Sequence, residues 1–457
     1  MRDSVHMQLE CACPACGAAP ITPSAAHFTC PACSVAFPVV DGMPWLFAEP
    51  ASALAEWRLK LHLLLVELRG EAAELRMAIE REGVSIAARN RLKLEAAAYE
   101  DQARRLSALL APIGADGAGV APEMHRALGT RAPQGAGVAA YYVNVHRDWV
   151  WGRDETDAMF EQVATVLGTE TPGRVLVLGA GAGRLVYDLA VRLRPQVTVA
   201  LDVNPLLAIV GRRVMNGERV SLYEFPLAPR DAESHAILRT LVADGPVPDN
   251  VQWVLGDATR APFAPGTFDT VVTPWLIDVI DDDLAAFAPR INALLRNGGR
   301  WINTGSLVFS HPDRAARYAL AEVVSIVESA GFSTPAVIEH RTPYMCSPAS
   351  RHGRVESVVT FRTDKQREVA RPAAGSPLPA WLDPGVGPVP ALPAFQSEAL
   401  TMRIYGYVAS LIDGRRSITD IASELVRERL ISAADAESAV RGFIRKLYAE
   451  SLARPRF

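Results

Sequence analysis

Five cysteines lie near the start of the chain, and four of them form two closely spaced pairs. Cys13 and Cys16, then Cys30 and Cys33, each enclose the dipeptide Pro-Ala, and thirteen residues separate the two pairs. Each pair can place two thiolates on one turn, and two such turns complete a tetrahedral zinc site without an open position for substrate. The pattern predicts a structural Zn²⁺ site. A redox pair is the alternative, but the βαβ surroundings of a thioredoxin-like site are missing.

A glycine-rich loop is the second feature that could do chemistry. Gly179, Gly181 and Gly183 follow the apolar run 175–178 at alternate positions and precede a helix-compatible segment. Glycine lets the backbone turn tightly and approach a ligand, and the N-terminus of a helix offers free N–H groups. The loop alone does not identify the ligand, because a dinucleotide site or a simple tight turn has the same appearance.

Acidic residues at the ends of the following strands narrow the choice of ligand. The run 197–201 ends in Asp202, where a carboxylate can accept both hydroxyls of a ribose. Asp257 closes the next strand, and residues 268–273 form a fourth. This order resembles that of class I S-adenosylmethionine-dependent methyltransferases, whereas a dehydrogenase more often has Gly-x-Gly-x-x-Gly. S-adenosylmethionine is therefore the predicted cofactor. A turn-forming function is the alternative for Asp257 and the favoured one for Asp269.

Five segments of different composition must position these residues. Residues 1–48 have the cysteines and alternating apolar residues of a β-rich zinc ribbon. Residues 49–137 begin with apolar positions every three or four residues, which predicts long amphipathic helices followed by a linker. Residues 138–370 alternate strand-like and helical runs, which predicts a Rossmann-like α/β methyltransferase domain. A Pro-rich linker at 371–394 leads to a helical module at 395–457.

The composition favours some partners over others. Hydrophobic residues make up 49% and charged residues 21% of the chain, as in globular proteins. A net charge of -4 gives no general attraction to nucleic acid or to an anionic membrane. No secretory signal and no run of about 18 apolar residues is visible. We therefore expect a cytoplasmic protein without a membrane or nucleic-acid partner. The predicted helices need a partner surface, either the catalytic domain or a second copy in a homodimer.

The order of motifs over residues 144–361 resembles the carnosine N-methyltransferase family, which methylates an imidazole nitrogen of a histidine-containing dipeptide. The run Trp-Ile-Asn-x-Gly and the Ile-Asp pair after the fourth strand are not general features of methyltransferases. The matching pieces are Arg147-Asp148-Trp149, Gly152 with 153–155, the loop 179–185, and the segments 220–223, 256–257, 268–278 and 298–307.

The resemblance implies a cofactor site. Gly181 lies in its glycine loop, and the cofactor-contacting positions of the family correspond here to Asn144, Arg147, Gly179, Asp202, Asp257, Ala258 and Pro274. Arg147 would pair with the methionine carboxylate through its planar guanidinium. Asn144 stands where the family has glutamine.

The resemblance also implies an acceptor site. The substrate-orienting acid of the family corresponds to Asp278, which would accept the N–H of an imidazole and aim its other nitrogen at the methyl group. A solvated loop acid is the alternative, because three further aspartates follow. The substrate histidine of the family corresponds to Ser310, one position from His311, which a one-residue slip would bring into place.

The paired substrate tyrosines of the family are absent. Their positions correspond to Gly353 and Val355, whose side chains cannot form hydrogen bonds, and Tyr344 and His352 are the nearby candidates. The sequence therefore favours a related imidazole acceptor over carnosine itself.

The two ends of the chain resemble other families. Residues 37–44 resemble small zinc-ribbon proteins that bind and activate tRNA, rRNA and protein methyltransferases. Residues 411–422 resemble PqqD-like winged-helix domains, which bind leader peptides of ribosomally made natural products by strand addition. A DNA-binding or purely structural winged helix is the alternative for this end.

Three functions follow from these features. The leading hypothesis is an N-methyltransferase for an imidazole in a small molecule or, preferably, in a histidine-containing peptide delivered by the C-terminal domain. The second is an RNA or protein methyltransferase with a fused zinc-ribbon activator. The third is a non-catalytic regulatory binding protein.

Overall fold

The computed structural model describes residues 10–24, 27–115, 141–280, 282–310, 313–372, 381 and 387–452. These residues belong to two compact units, Met1–Ala373 and Ala374–Phe457. Among the described helices, none combines the length and the apolar composition needed to cross a lipid bilayer.

The N-terminal segment forms four short strands that pair in sequence order. They are β1 (Thr22–Pro23), β2 (His27–Thr29), β3 (Ala36–Val40) and β4 (Met43–Leu46). Each neighbouring pair is antiparallel, as expected for strands joined by short turns. All four residues of β4 are buried, so this strand has a neighbour on its other side.

Two long helices follow, α1 (Pro50–Ile79) and α2 (Ile86–Leu109). The buried residues of α1 include Leu61, Leu65 and Leu68, which recur at helical spacing, and α1 packs against α2. The hydroxyl oxygen of Ser85 accepts a hydrogen bond from the backbone N–H of Ala88, which caps the start of α2. The predicted amphipathic helices are therefore present as a helical hairpin.

The α/β region supplies the remaining elements of the first unit. In chain order they are α3 (Arg153–Leu167), β5 (Arg174–Leu178), α4 (Arg184–Asp188), β6 (Val197–Asp202), α5 (Pro205–Met215), β7 (Val220–Glu224), β8 (Ile237–Leu241), β9 (Val251–Gly256), β10 (Phe268–Pro274), α6 (Leu284–Leu294), β11 (Leu295–Gly305), α7 (Leu320–Ser329), β12 (Ala336–Tyr344) and β13 (Arg354–Asp364).

The central sheet runs in the order β9-β6-β5-β10-β11-β13-β12. The first five strands of this order, β9-β6-β5-β10-β11, are parallel to one another, and β13 is antiparallel to both β11 and β12. β5 and β6 are apolar and buried along most of their length, as expected when helices cover both faces. The direction of winding reverses between β5 and β10, and ligands of open α/β sheets bind at the carboxyl ends of strands at such a point. The predicted Rossmann-like α/β fold is confirmed.

The cysteine-containing module continues this sheet. β4 pairs in parallel with β9, with Trp45 opposite Leu255 and Leu46 opposite Gly256, so the whole sheet has eleven strands. Phe37 shares one hydrophobic cluster with core residues of the central strands. The module and the α/β region thus form one folded unit.

Strands β7 and β8 form a two-stranded insertion between α5 and β9, and α2 of the helical hairpin packs on β7. The ring of Tyr99 on α2 stacks on Phe225, with the ring centroids 4.2 Å apart. Of the two partner surfaces considered from the sequence, the structure places the α/β region against these helices.

The C-terminal unit contains α8 (Pro393–Ser410), α9 (Ile418–Arg427) and α10 (Ala436–Leu452) around a small apolar core. Ser417 caps α9, because its hydroxyl oxygen accepts from the N–H of Asp420, 3.2 Å away. Residues 387–452 include no strand. A winged helix needs a β-hairpin, so the winged-helix assignment stays a prediction.

Candidate active site and metal site

The glycine loop lies where the carboxyl ends of β5 and β6 meet. Gly181 and Gly183 both have positive φ, at +60° and +90°. A Cβ atom on Gly183 would lie 2.7 Å from the ring of Trp253, and a φ of +90° is unfavourable for other residues, so this position requires glycine. A Cβ on Gly181 would meet no atom within 4 Å, which leaves open space beside the loop. The loop therefore has a packed side and a side on which a ligand can lie.

Asp202 is fixed beside this open space. Its Oδ2 accepts the backbone N–H of Gly181 at 2.6 Å, and its Oδ1 accepts that of Asn204 at 2.7 Å. Burial raises the pKa of Asp202 to about 6, although the backbone donors lower it. Each carboxylate oxygen has a second lone pair available to a ligand hydroxyl.

The ends of β9 and β10 lie along the same edge of the sheet. Asp257 caps a short turn, because its Oδ1 accepts from the N–H and the hydroxyl of Thr259, both at 2.8 Å. Ala258 is half-buried, and Pro274 is buried at the end of β10. Asp269 lies at the opposite end of β10, where its carboxylate accepts the N–H of Arg174 at 2.7 Å. We call the edge formed by the carboxyl ends of β5, β6, β9 and β10 the ligand edge. Asp257 lies at this edge, and Asp269 does not.

A helical turn before α3 covers the glycine loop. Trp149 donates its indole N–H to the carbonyl oxygen of Ala182 at 2.8 Å, which holds the turn against the loop. The side-chain oxygen of Asn144, in the preceding turn, is buried and has no hydrogen-bond partner among the described residues. Since an unsatisfied buried polar group costs about 1–3 kcal/mol, this oxygen is one that a ligand donor would satisfy.

Arg147 lies in the same turn between two acids. Its Nε and Nη2 are 2.9 and 2.8 Å from Oδ1 of Asp148, and its Nη1 is 3.5 Å from Oε1 of Glu155. Burial lowers the pKa of the Arg147 guanidinium, but the neighbouring Asp148, Tyr344 and Glu155 outweigh it and raise the pKa. The cluster therefore contains a positively charged guanidinium beside two negatively charged carboxylates.

Asp278 lies beyond the end of β10 and is 4% exposed. Its Oδ2 accepts the hydroxyl of Ser306 at 2.6 Å and the backbone N–H of Val308 at 2.9 Å. Both donors follow β11, so the carboxylate joins the ends of two adjacent strands. Its burial does not agree with the alternative of a solvated loop acid.

Tyr344 ends β12 beside Arg147. Its ring centroid is 4.5 Å from that of Trp275, and the guanidinium carbon of Arg147 lies 5.9 Å from the Tyr344 ring. Burial raises the pKa of the Tyr344 hydroxyl. His352 is exposed, and among the described residues no contact joins its ring to Asp278 or Tyr344. His311 lies outside the described residues.

The positions of the missing tyrosines lie near Tyr344. Tyr344 is paired with Arg354 across β12 and β13, and Val355 is paired with Pro343. Successive side chains of a strand point to opposite faces, so Val355 points away from the face that Tyr344 shares with Arg354. On the face that it shares with Arg354, Tyr344 supplies a phenol group near the positions of the missing tyrosines.

The four paired cysteines come together at one point. The sulfur atoms of Cys13 and Cys33 are 3.7 Å apart, those of Cys16 and Cys30 are 3.6 Å apart, and all four lie within 4.8 Å of one another. Zn–S bonds of about 2.3 Å in a tetrahedron require S···S separations of roughly 3.8 Å. The cysteines therefore fit the zinc ribbon that their spacing predicts.

Several residues at the ligand edge had no predicted function. Trp149, Glu155 and Trp275 occur within the matching motifs, but their contacts depend on segments far away in the sequence. The contact of Ser306 also depends on a distant segment. Its hydroxyl reaches Asp278 because β10 and β11 are neighbours in the sheet.

The sheet order, the glycine loop and the acids at the following strand ends define a class I S-adenosylmethionine-dependent methyltransferase. The sequence profile of the carnosine N-methyltransferase family matches residues 137–365, which is half of the chain. The protein belongs to this family, and the predicted resemblance is confirmed.

Solved structures with a similar fold include methyltransferases of low sequence identity. Haemonchus contortus phosphoethanolamine N-methyltransferase 2, in complex with phosphomonomethylethanolamine and S-adenosylhomocysteine, is 15% identical with a TM-score of 0.33, over 50% of this chain and 58% of that chain. The same enzyme with S-adenosyl-L-methionine is 15% identical with a TM-score of 0.33, over 51% and 58%. The chain thus spans 58% of the length of that enzyme. The YcgJ protein of Bacillus subtilis is 12% identical with a TM-score of 0.33, over 46% of this chain and 99% of that chain. No curated protein matched.

Proposed function

We propose that this methyltransferase acts on an imidazole nitrogen, and that the imidazole belongs to a histidine in a peptide. The buried Asp278 carboxylate carries this proposal, because it lies at the strand ends where the acceptor must approach and corresponds to the substrate-orienting acid of the family. The absence of hydrogen-bonding side chains at Gly353 and Val355 favours an acceptor other than carnosine.

The residues at the ligand edge fit S-adenosylmethionine. Asp202 would accept the ribose hydroxyls, and the unsatisfied oxygen of Asn144 would accept a further donor. Arg147 would face the methionine carboxylate, while Asp148 and Glu155 would face its ammonium group. The loop Gly179–Gly181 and the pair Asp257 and Ala258 would border the cofactor, with Pro274 between it and the acceptor. When bound, the cofactor supplies a methyl group on a positively charged sulfur.

Asp278 would select the reactive form of the acceptor. Its carboxylate would accept the N–H of a neutral imidazole, which leaves the lone pair of the opposite nitrogen free to point at the methyl group. That nitrogen would form the new N–C bond as the bond between the methyl group and the cofactor sulfur breaks, and the proton on the first nitrogen would then leave through Asp278 to solvent. Ser306 and Val308 would hold the carboxylate in place. Trp275 and Tyr344 would provide an aromatic wall and a hydroxyl for the acceptor, with His311 as a further candidate.

The test compares Asp278→Asn with the wild type. An amide lacks the charge that fixes the imidazole tautomer, so we expect methylation of histidine-containing peptides to fall by about 10²–10⁴-fold. The affinity for S-adenosylmethionine should change little, as measured by calorimetry. Ser306→Ala is the matched control and should cause a smaller loss. Unchanged turnover of Asp278→Asn would remove this residue from the mechanism, and methylation of carnosine but no peptide would overturn the peptide acceptor.

We also propose that Cys13, Cys16, Cys30 and Cys33 hold a structural zinc ion. The sulfur separations support a tetrahedral site with no open position. Elemental analysis of the purified protein should find one zinc per chain, and the Cys13→Ser variant should lose it. Two disulfides in place of metal would contradict the proposal.

The C-terminal unit would bind the rest of the peptide. Exposed apolar side chains on α8, including Phe395 and Leu400, support this proposal. Phe395→Asp should raise KM for a long peptide without raising KM for a short one, and Gln396→Asp on the same helix is the control. Equal effects on both lengths would contradict peptide delivery, and methylation of RNA or of folded proteins would favour the second hypothesis. The cytoplasmic location stays a prediction.

A further inference from the structure

We propose that Glu155 is a positioning residue that links the cofactor site to the acceptor site. This inference rests on the proposed function, in which Arg147 binds the cofactor and Tyr344 faces the acceptor. The Glu155 carboxylate contacts Arg147 on one side and, on the other, the backbone N–H of Met345, the residue that follows Tyr344.

Glu155 lies in the first turn of α3, and only 11% of its side chain is exposed. Its two oxygens face different segments of the chain. Oε1 is 3.5 Å from Nη1 of Arg147, and Oε2 accepts the backbone N–H of Met345 at 3.0 Å. A displacement of the Arg147 guanidinium would therefore move the Glu155 carboxylate. Through its hydrogen bond to Met345, the carboxylate would in turn move the segment that follows β12.

The backbone of Met345 needs such a partner. Its φ of +55° is in the left-handed region, which is unfavourable for a residue other than glycine. The hydrogen bond to Glu155 stabilises this conformation, and the conformation sets the direction in which the chain leaves β12. Tyr344 is the preceding residue, so the same bond fixes its ring against Trp275. Strained backbone of this kind persists where the surrounding structure holds it in place.

The segment after Met345 has further contacts of its own. The hydroxyl of Ser347 donates to Oε1 of Glu224, and the N–H of Arg230 donates to the carbonyl oxygen of Ala349 at 3.1 Å. These contacts attach the far part of the loop to the β7–β8 insertion. Glu155 is the carboxylate that reaches the near part, and a change at this position leaves the far contacts in place.

Cofactor binding should therefore order the start of the 345–353 loop. A carboxylate bound to Arg147 would fix the guanidinium and with it Glu155 and the Met345 N–H. We call residues 345–353 the acceptor loop, because they follow Tyr344. By linkage, ordering of this loop would strengthen cofactor binding by the same factor.

Hydrogen exchange of the full chain with and without S-adenosylhomocysteine tests this link, and it needs no knowledge of the acceptor. In the wild type we expect the ligand to slow exchange in peptides covering residues 179–183 and in those covering 344–347. Glu155→Ala removes a carboxylate that would face the cofactor ammonium group, so the ligand is added at a concentration that saturates this variant. The 179–183 peptides should then remain protected, whereas the 344–347 peptides should exchange about ten-fold faster and no longer respond to the ligand.

Two further variants complete the experiment. Asp154→Ala removes a neighbouring, exposed acid of the same turn and should behave as the wild type. Glu155→Gln keeps an acceptor for the Met345 N–H but not the charge facing Arg147. It should protect residues 344–347 without any response to ligand, and it provides the measurement if Glu155→Ala does not fold.

Three outcomes would overturn the link. They are an absent ligand response at 344–347 in the wild type, an undiminished response in the two Glu155 variants, and an equal loss in Asp154→Ala. Failure of the proposed function has a different signature, because the response at 344–347 would be intact while no imidazole is methylated.

Discussion

Asp202 carries its charge where water has little access. The residue is 6% exposed, and the backbone N–H groups of Gly181 and Asn204 stabilise its negative charge through hydrogen bonds. Because burial is the largest effect, its pKa rises from 3.8 to about 6. The carboxylate that would receive the ribose is therefore charged only above mildly acidic pH.

We expect the affinity for S-adenosylmethionine to fall as the pH falls through 6. A protonated Asp202 loses acceptor capacity, so the apparent Kd should be about ten-fold higher at pH 5 than at pH 8. Calorimetric titrations from pH 5 to 8 give the profile. The raised pKa also affects the stability of the ligand-free protein. Because the folded state binds this proton more tightly than the unfolded chain does, the free energy of unfolding should fall as the pH rises from about 4 to 6.

Asp202→Asn is the control for this profile. The variant should bind the cofactor weakly at every pH, with a flatter profile between pH 5 and 7. A profile as steep as that of the wild type would assign the effect to another group.

At the scale of elements, residues that lie at the ends of strands could be placed from the sequence. Gly179, Asp202 and Asp257 each lie at the end of a recognisable strand. Parallel strands end at a common edge, so the proximity of these residues follows from the fold class. The Cys-x-x-Cys pairs were predictable for a similar reason, because each is a local turn.

Other contacts carry no local signal. The pairing of β4 with β9 joins residues about two hundred positions apart, and a short apolar run does not specify its partner strand. The contact between Glu155 and Met345 depends on a left-handed backbone at a methionine, which sequence patterns do not predict. Tyr344 lies beside Arg147 because β12 ends there, and this position depends on the long-range pairing of β12 with β13.

The helical hairpin supports the acceptor loop through the β7–β8 insertion. Gln102 on α2 is 1% exposed and accepts the backbone N–H of Tyr223 at 2.8 Å, while its own N–H donates to the Tyr142 hydroxyl at 2.6 Å. β7 then ends at Glu224, which accepts from Ser347 of the acceptor loop. The helices are thus part of the support for this loop.

Gln102→Met should weaken this support. The variant leaves the Tyr223 N–H without its partner, which should lower the free energy of unfolding by about 1–3 kcal/mol. We also expect KM for the acceptor to rise more than KM for the cofactor. Denaturant titration and steady-state kinetics measure the two effects.

Arg104→Met is the matched control on the same helix. The Arg104 side chain is 76% exposed, so its replacement should change stability by less than about 0.5 kcal/mol. Equal losses in the two variants would contradict a specific function for Gln102.

At the scale of the first unit, the cysteine module lies next to the cofactor edge. The carbonyl oxygen of Leu46 in β4 is 2.9 Å from where a Cβ of Gly256 would lie, immediately before Asp257. The N–H of Ala12 donates to the carbonyl oxygen of Pro262 at 2.9 Å, and Asp41 forms salt bridges with Arg212 and Arg213 of α5. Both sides of the Asp257 turn are therefore in contact with the module.

Removal of the proposed zinc ion should weaken cofactor binding from a distance. Without zinc the two turns lose their cross-link, β4 is no longer held, and β9 becomes an exposed edge. We expect a chelator to lower Tm by roughly 5 °C or more and the affinity for S-adenosylmethionine by about ten-fold. Differential scanning fluorimetry and calorimetry measure these changes. Cys13→Ser should reproduce them and resist further effect of the chelator, whereas Cys346→Ser, at an exposed cysteine outside the module, should behave as the wild type. A chelated protein with unchanged Tm and affinity would show that the strand pairing alone holds the Asp257 turn in place.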